Sequence, residues 1–434
     1  MNKQIEHNNA IHKWANIVLC FIIVFVTLGF CSSNRDLYFG AITEALEMDR
    51  AIFSWTTSCR FVVTAIINLF FGYLVGRFGT KKLMCAGLLL LTLSMFINSI
   101  APHAAYFFLT ESFNGIGFSW TGTAMVSCII NSWSTDNKGT IMGVILCANG
   151  IGGAVAAQIV SPIINSQIFG YRLAYRIVSI ILICVLVATI FIFREKPKGD
   201  ISHIHSKSHH KRRGDSWVGI PYSEAVKKTY FFGAAICIFF VGASIQGVTG
   251  NASTYLKDIG ISQVFIANLA SVRSVMLTFS KFFAGFLYDR FGLRKVITIC
   301  CCSAVGTFFS LVLISNTSTG IGFAIAYAVF YALALPLETI MIPLYASDLF
   351  GEKSHDKVLG VFLAANSLGY VFGSPLMNLS YKLWGSYKYM LFAFGIVLIA
   401  VTIALQFVIT AAHKTRNRVL AEEAKKAELA VQNA

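Results

Sequence analysis

The chain has 434 residues, of which 56% are hydrophobic, 14% aromatic and only 13% charged, with a mean hydropathy of +0.68. A soluble domain carries about 25% charged residues, so a soluble globular enzyme and a disordered chain are excluded and a polytopic membrane protein is indicated. The net charge of +15 then asks which side of a membrane the lysines and arginines face, and is not a sign of nucleic-acid binding.

About twelve apolar stretches of roughly 20 residues follow one another, each long enough to cross a bilayer as a helix. They are predicted at 16–40, 51–75, 83–101, 105–131, 139–165, 173–194, 229–256, 263–287, 295–315, 320–348, 358–381 and 388–411. The runs are continuous rather than alternating, which argues for helices over a barrel. The first run is too long for a signal peptide and no small-residue cleavage site follows it. With the N-terminus in the cytoplasm, cytoplasmic segments hold about 25 of the 35 basic residues and the outer loops about five, as the positive-inside rule requires. Both termini are therefore expected to be cytoplasmic.

A charge inside a span costs at least about 2.5 kcal/mol on insertion scales, so each one is a functional candidate. Span one ends in Arg35 and Asp36, and span two carries Arg60 at mid-depth. Span four carries Glu111, and Arg176 lies near the start of span six. Span eight carries Arg273 and Lys281, eight residues and so about 80° apart around the helix, both able to face a central cavity. Span ten carries Glu338, just after Pro336. Arg273, Lys281 and Arg35 are candidates to hold an anionic group by charge-assisted hydrogen bonds. Glu111 and Glu338 are candidates to carry a coupled proton, with Arg60 beside them. The alternative for every one of these is a structural ion pair with a neighbouring helix. Asn149, Asn366, Tyr327 and Tyr331 are further candidate substrate contacts, and Trp120 and Gln246 plausible cavity liners. No histidine falls inside a predicted span, so coupling through histidine is not expected.

Between spans six and seven, Arg194 to Lys228 is the longest polar stretch and includes Lys207, Lys211, Arg212 and Arg213. It reads as a cytoplasmic linker against anionic headgroups. His203, His205, His209 and His210 lack the cysteine or carboxylate cluster that would complete a metal site. The expected organisation is an N-terminal six-helix half (1–194), the linker (195–228), a C-terminal half (229–412) and a cytoplasmic helical tail (413–434). The eleven cysteines read as small buried residues, with no CxxC spacing and none in the outer loops. No metal or cofactor is expected.

The halves repeat. Gly72-Tyr-Leu-Val-Gly-Arg-Phe-Gly-Thr-Lys-Lys82 follows span two, and Gly285-Phe-Leu-Tyr-Asp-Arg-Phe-Gly-Leu-Arg-Lys295 follows span eight. Gly143-Val-Ile-Leu-Cys-Ala-Asn-Gly-Ile-Gly152 in span five matches Gly360-Val-Phe-Leu-Ala-Ala-Asn-Ser-Leu-Gly369 in span eleven. A parallel repeat of six helices is the architecture of alternating-access carriers. The first pair resembles the loop signature of the major facilitator superfamily, G-x-L-x-D-R-x-G-x-[KR]-[KR]. The resemblance covers all twelve spans and implies an all-α membrane fold of two pseudo-symmetric six-helix bundles. It also implies a gating motif at Gly72, Arg77, Gly79, Lys81 and Lys82, and at Gly285, Asp289, Arg290, Gly292, Arg294 and Lys295. Gly76 stands where the family has aspartate, which implies a lopsided latch.

Phe53-Ser-Trp55, Gly150-Ile-Gly-Gly153, Gly170-Tyr-Arg-Leu-Ala-Tyr175 and Tyr255-Leu-Lys-Asp-Ile-Gly260 together resemble the monocarboxylate transporter and oxalate:formate antiporter branch. That branch places an arginine four residues before the motif glycine of span eight. Lys281 keeps the cation there without the bidentate fork. Leu277 stands where some members have an aspartate, and span eleven lacks the lysine of oxalate-type members. The implied function is secondary transport of a small organic anion, a carboxylate, across the cytoplasmic membrane by a monomer in contact with lipid. Two alternatives stay open: export of amphipathic drugs or cations using Glu111 and Glu338, and a non-transporting receptor or scaffold. No P-loop or nucleophile elbow points to an enzyme.

Overall fold

The computed structural model describes residues 2–33, 35, 38, 41–42, 45–47, 50–133, 137–164, 166, 170–195, 219–315 and 317–432. Asp36 and most of the linker, including its four histidines and Lys207, Lys211, Arg212 and Arg213, lie outside them. Among the described residues every regular element is a helix. Among the described residues nine helices are long and apolar enough to cross a membrane, and the pair Trp55–Leu69 and Phe71–Phe78, bent by 58°, makes a tenth. The other two predicted spans are helical as well. Span four runs as Ala104–Thr121 and Thr123–Trp133, parted at Gly122, and span eight as Gln263–Phe291. These are the more polar two, one holding Glu111 and Asn114 and the other Arg273 and Lys281.

The predicted helices differ from the observed ones mainly where the chain bends. Span one is α-helical over Asn2–Val24 and then widens into a π-helix, Phe25–Ser32. Span ten widens in the same way at Leu337–Met341, directly after Pro336, which has no backbone N–H to continue the ladder. The fourth helix of each half is thus interrupted, at Gly122 in the first and by the π-helical segment Leu337–Met341 in the second. Span eleven begins earlier than predicted, at His355, and ends at Trp384. The last helix, Lys388–Gln432, runs from span twelve into the tail without a break.

The surface is apolar and the interior holds the polar groups. Phe191 and Phe407 are more than 70% exposed, while Asn68, Asn98, Asn114, Glu111, Lys281, Glu338 and Asn366 are all less than 8% exposed. This is the arrangement expected when lipid rather than water surrounds the bundle. Spans five and eight, and spans two and eleven, pack across the boundary between the halves. Close approach there depends on glycine. A Cβ on Gly139 would lie 2.6 Å from the carbonyl oxygen of Gly285. Gly79 and Gly292 sit at matching motif positions with φ of +82° and +79°, the left-handed region that lets spans two and eight turn into the next helix.

The cysteines are less uniform than expected. Cys20, Cys31, Cys147, Cys237, Cys300 and Cys301 are buried, but Cys184 and Cys302 are exposed on helix surfaces.

Candidate functional site

The N-terminal half places one acid between two cations. Arg35 donates through Nε to Glu111 Oε1 at 2.9 Å, and Arg60 Nε lies 3.7 Å from Glu111 Oε2. Arg35 also donates to Thr56 Oγ1 at 2.8 Å, and the Arg60 guanidinium sits over the rings of Phe61 and Phe118, 5.0 and 5.8 Å from their centroids. The three charges come from spans one, two and four. All are largely removed from water, so the attraction is screened little and each arginine has an acid as close neighbour. Arg176 is exposed and stands apart from this group.

The C-terminal half builds a different pocket wall. Arg273 donates to Tyr327 Oη at 2.8 Å and lies over the Tyr331 ring at 4.9 Å. The Tyr331 hydroxyl is hydrogen-bonded to Thr249 Oγ1 of span seven. Spans seven, eight and ten therefore meet through one guanidinium and two phenols. Farther along span ten, in its π-helical segment, Glu338 accepts a hydrogen bond from Tyr370 Oη at 3.0 Å. Glu338 Oε1 and Asn366 Nδ2 are both buried without a hydrogen-bond partner among the described residues. No basic side chain lies within salt-bridge distance of Glu338 among the described residues.

Lys281 lies where the halves meet. It is 3% exposed. Its backbone packs against Gly143 of span five. Asn149, orientated by its neighbours, donates to Ser33 Oγ at 2.7 Å and to the Leu28 carbonyl at 3.2 Å, and accepts from Lys281 Nζ at 3.3 Å. Among the described residues no carboxylate lies within 4 Å of the ammonium; Cys147 is the titratable group beside it. Arg273 is about 12 Å farther along the same helix, away from the motif. Asn149 and Asn366 occupy equivalent repeat positions but serve opposite charges, Asn149 facing Lys281 and Asn366 lying against Glu338.

At the motif end the halves are tied together. Asp289 accepts from the backbone N–H of Gly139 at 3.0 Å and from Thr140 N and Oγ1, both at 2.6 Å. This second-half carboxylate thus caps the N-terminus of the opposite half's span five, where the helix dipole favours an anion. Gly76 supplies no counterpart, although a Cβ there would meet nothing within 4 Å. On that side Gly72 packs against the backbone of Asp356 and Lys357. Lys138 makes a 2.6 Å salt bridge to Glu352, and Ser127 and Cys128 of span four contact His355 and Asp356 at the start of span eleven.

The remaining motif cations face outward or bind within their own half. Lys81 donates to the Ile190 carbonyl at 2.7 Å, Arg77 to Tyr73 Oη at 2.8 Å, and Arg294 to Gln406 and Thr410. Lys82, Arg290 and Lys295 are exposed. Glu195 accepts from Lys81 N at 2.7 Å beside Gly79.

Sequence reasoning missed Ser33, Lys138, Thr140, Tyr370 and the Cys128–His355–Asp356 group. The repeat itself carried one signal. His355 and Asp356 are the span-eleven counterparts of Lys138 and Gly139, which open span five.

The family model described as Major Facilitator Superfamily matches residues 17–340 and 234–432. The chain is 20% identical over 441 residues to human monocarboxylate transporter 12, covering 94% of this chain and 83% of that one. It is 22% identical over 342 residues to multidrug resistance protein 2 of Bacillus subtilis (strain 168), covering 76% and 80%. The solved structure of the transporter FucP in its outward conformation superposes with a TM-score of 0.69 at 14% identity, over 92% of this chain and 99% of FucP.

Proposed function

Since this chain belongs to the major facilitator superfamily and is a multi-pass membrane transporter, we propose that its cargo is a small organic anion, a carboxylate. The supporting observation is Lys281, a buried ammonium at the boundary between the halves with no acid within 4 Å among the described residues. A buried charge is costly until it is compensated, and a bound carboxylate would compensate it. Glu111, by contrast, already lies against two arginines. The similarity to human monocarboxylate transporter 12 supports the same class of cargo.

In this reading the carboxylate bridges Lys281 and Asn149, and the rest of the molecule lies toward Arg273, Tyr327 and Tyr331. Binding at this boundary favours rocking of the two bundles about the site. Glu338, buried without a cation beside it among the described residues, is the coupling residue and carries a proton with the cargo where transport is proton-coupled rather than an anion exchange. The motif end faces the cytoplasm with both termini, so the asymmetric clasp of Asp289 closes the inner side. The carrier works as a monomer in the plasma membrane.

The test is uptake into proteoliposomes from a panel of monocarboxylates and dicarboxylates, with an imposed pH gradient or with internal anion. Saturable uptake driven by either supports the reading. If neither drives uptake of any carboxylate while a lipophilic cation is transported, export of amphipathic cations replaces it. The similarity to multidrug resistance protein 2 makes that the relevant competitor. A cation exporter would have to rely on Glu338, since Glu111 is engaged by Arg35 and Arg60.

A further inference from the structure

We propose that Cys128, His355 and Asp356 form a binding site for a late first-row divalent metal ion, Zn²⁺ being the type case, which bridges the two halves at the motif end. The three donor atoms lie within 4.8 Å of one another. Asp356 Oδ1 is 2.9 Å from His355 Nδ1 and 3.0 Å from Cys128 Sγ. Donors around a tetrahedral zinc stand roughly 3.5 Å apart, so the two pairs that Asp356 makes have to open by only about half an ångström to admit the ion.

The donor chemistry selects the metal. A thiolate, an imidazole and a carboxylate suit zinc and its neighbours, whereas Mg²⁺ and Ca²⁺ require oxygen donors. Three protein donors leave a fourth position for water. Binding converts the Cys128 thiol, which now donates to Asp356, into a thiolate and releases its proton.

Two further features fit a metal site. Ser127 Oγ lies 3.2 Å from His355 Nε2. A histidine that ligates through Nδ1 must present its Nε2–H to an acceptor, and Ser127 is placed to be that outer partner. Cys128 and His355 are 5% and 1% exposed, while the Asp356 side chain is 38% exposed. The site is thus enclosed with one open side for entry.

The placement gives the ion a consequence. Cys128 belongs to span four and the other two ligands to span eleven, so a bound ion would pin one half to the other. It would do so beside Gly72 and Gly76, where the first-half motif lacks the carboxylate that Asp289 supplies on the opposite side. A metal there would fasten the weaker side of the clasp.

The experiment uses the purified full-length protein, stripped with chelator and titrated with Co²⁺ while the thiolate-to-cobalt charge-transfer absorption is followed. One saturable equivalent is expected, displaced by Zn²⁺ and untouched by Mg²⁺. Cys128→Ser should abolish the band. Ser127→Ala should keep it and weaken Co²⁺ binding by about 10- to 100-fold. Absence of a band, or a band that survives in Cys128→Ser, overturns the site. Should Cys128→Ser fail to fold, His355→Asn and Asp356→Asn decide: each must weaken binding more than Ser127→Ala does, and unchanged affinity in both overturns the proposal.

Discussion

Replacing Lys281 by methionine separates a cargo-binding cation from a structural one, because the two roles predict opposite signs for stability. The ammonium is buried, its neighbours include an amide oxygen at 3.3 Å and the Cys147 thiol, and it has no acid within 4 Å among the described residues. Removing one partner of a buried ion pair costs about 3–5 kcal/mol, since the other charge is left uncompensated. Here the charge removed is itself the uncompensated one. Lys281→Met should forfeit one long charged hydrogen bond of no more than about 1.5–3 kcal/mol while relieving a desolvation penalty of several kcal/mol. The unliganded variant should therefore melt at the same temperature as the parent or higher. Its response to cargo should collapse, because a hydrogen bond to a charged group is worth about 1.5–3 kcal/mol, which is roughly a 10- to 150-fold loss of affinity. The assay is thermal melting of purified protein with and without a carboxylate that stabilises the parent. Lys281→Arg should retain part of the ligand-induced shift. A variant that melts far below the parent, or one that keeps the full shift, would refute the reasoning.

Four other substitutions follow from the same geometry. Glu111→Gln leaves Arg35 and Arg60 buried without their shared acid, and should cost about 3–5 kcal/mol in unfolding measurements; unchanged stability would mean the trio is not an ion-pair network. Gly152→Ala drives a Cβ into the Phe25 carbonyl oxygen and should destabilise by about 1–3 kcal/mol. Gly76→Ala meets open space in a helix and should stabilise by about 0.5–1 kcal/mol. Asp289→Ala removes the cap on span five and should cost about 0.5–2 kcal/mol locally, seen as faster hydrogen exchange at the Gly139 and Thr140 amides with no change at the unlinked Lys357 amide.

The membrane spans were legible because a run of some 20 apolar residues has few other uses, and even the polar spans four and eight were found between recognisable neighbours. The bends were not legible. The turn at Phe70 lies where Gly72 presses against Lys357, more than 280 residues away in sequence, and the π-helical segments answer to packing as well as to Pro336. The charges within the spans could be named from the sequence, yet their partnerships could not be read. Glu111 meets Arg35 and Arg60 only after spans one, two and four assemble, and the isolation of Lys281 from acids among the described residues is a property of the finished bundle. His355 escaped notice because span eleven was expected to begin at residue 358. Its helix starts three residues earlier and carries the imidazole into the contact between halves. Asn149 and Asn366 show the limit of the repeat: equivalent positions predicted equivalent polarity, but the charge each one faces is set by its neighbours.

The most direct measurement is counterflow exchange of a radiolabelled carboxylate in proteoliposomes carrying either the parent or Lys281→Met at matched amounts of folded protein. The parent should accumulate label against internal unlabelled anion, and Lys281→Met should not. Equal accumulation by the two would contradict a carboxylate site at Lys281.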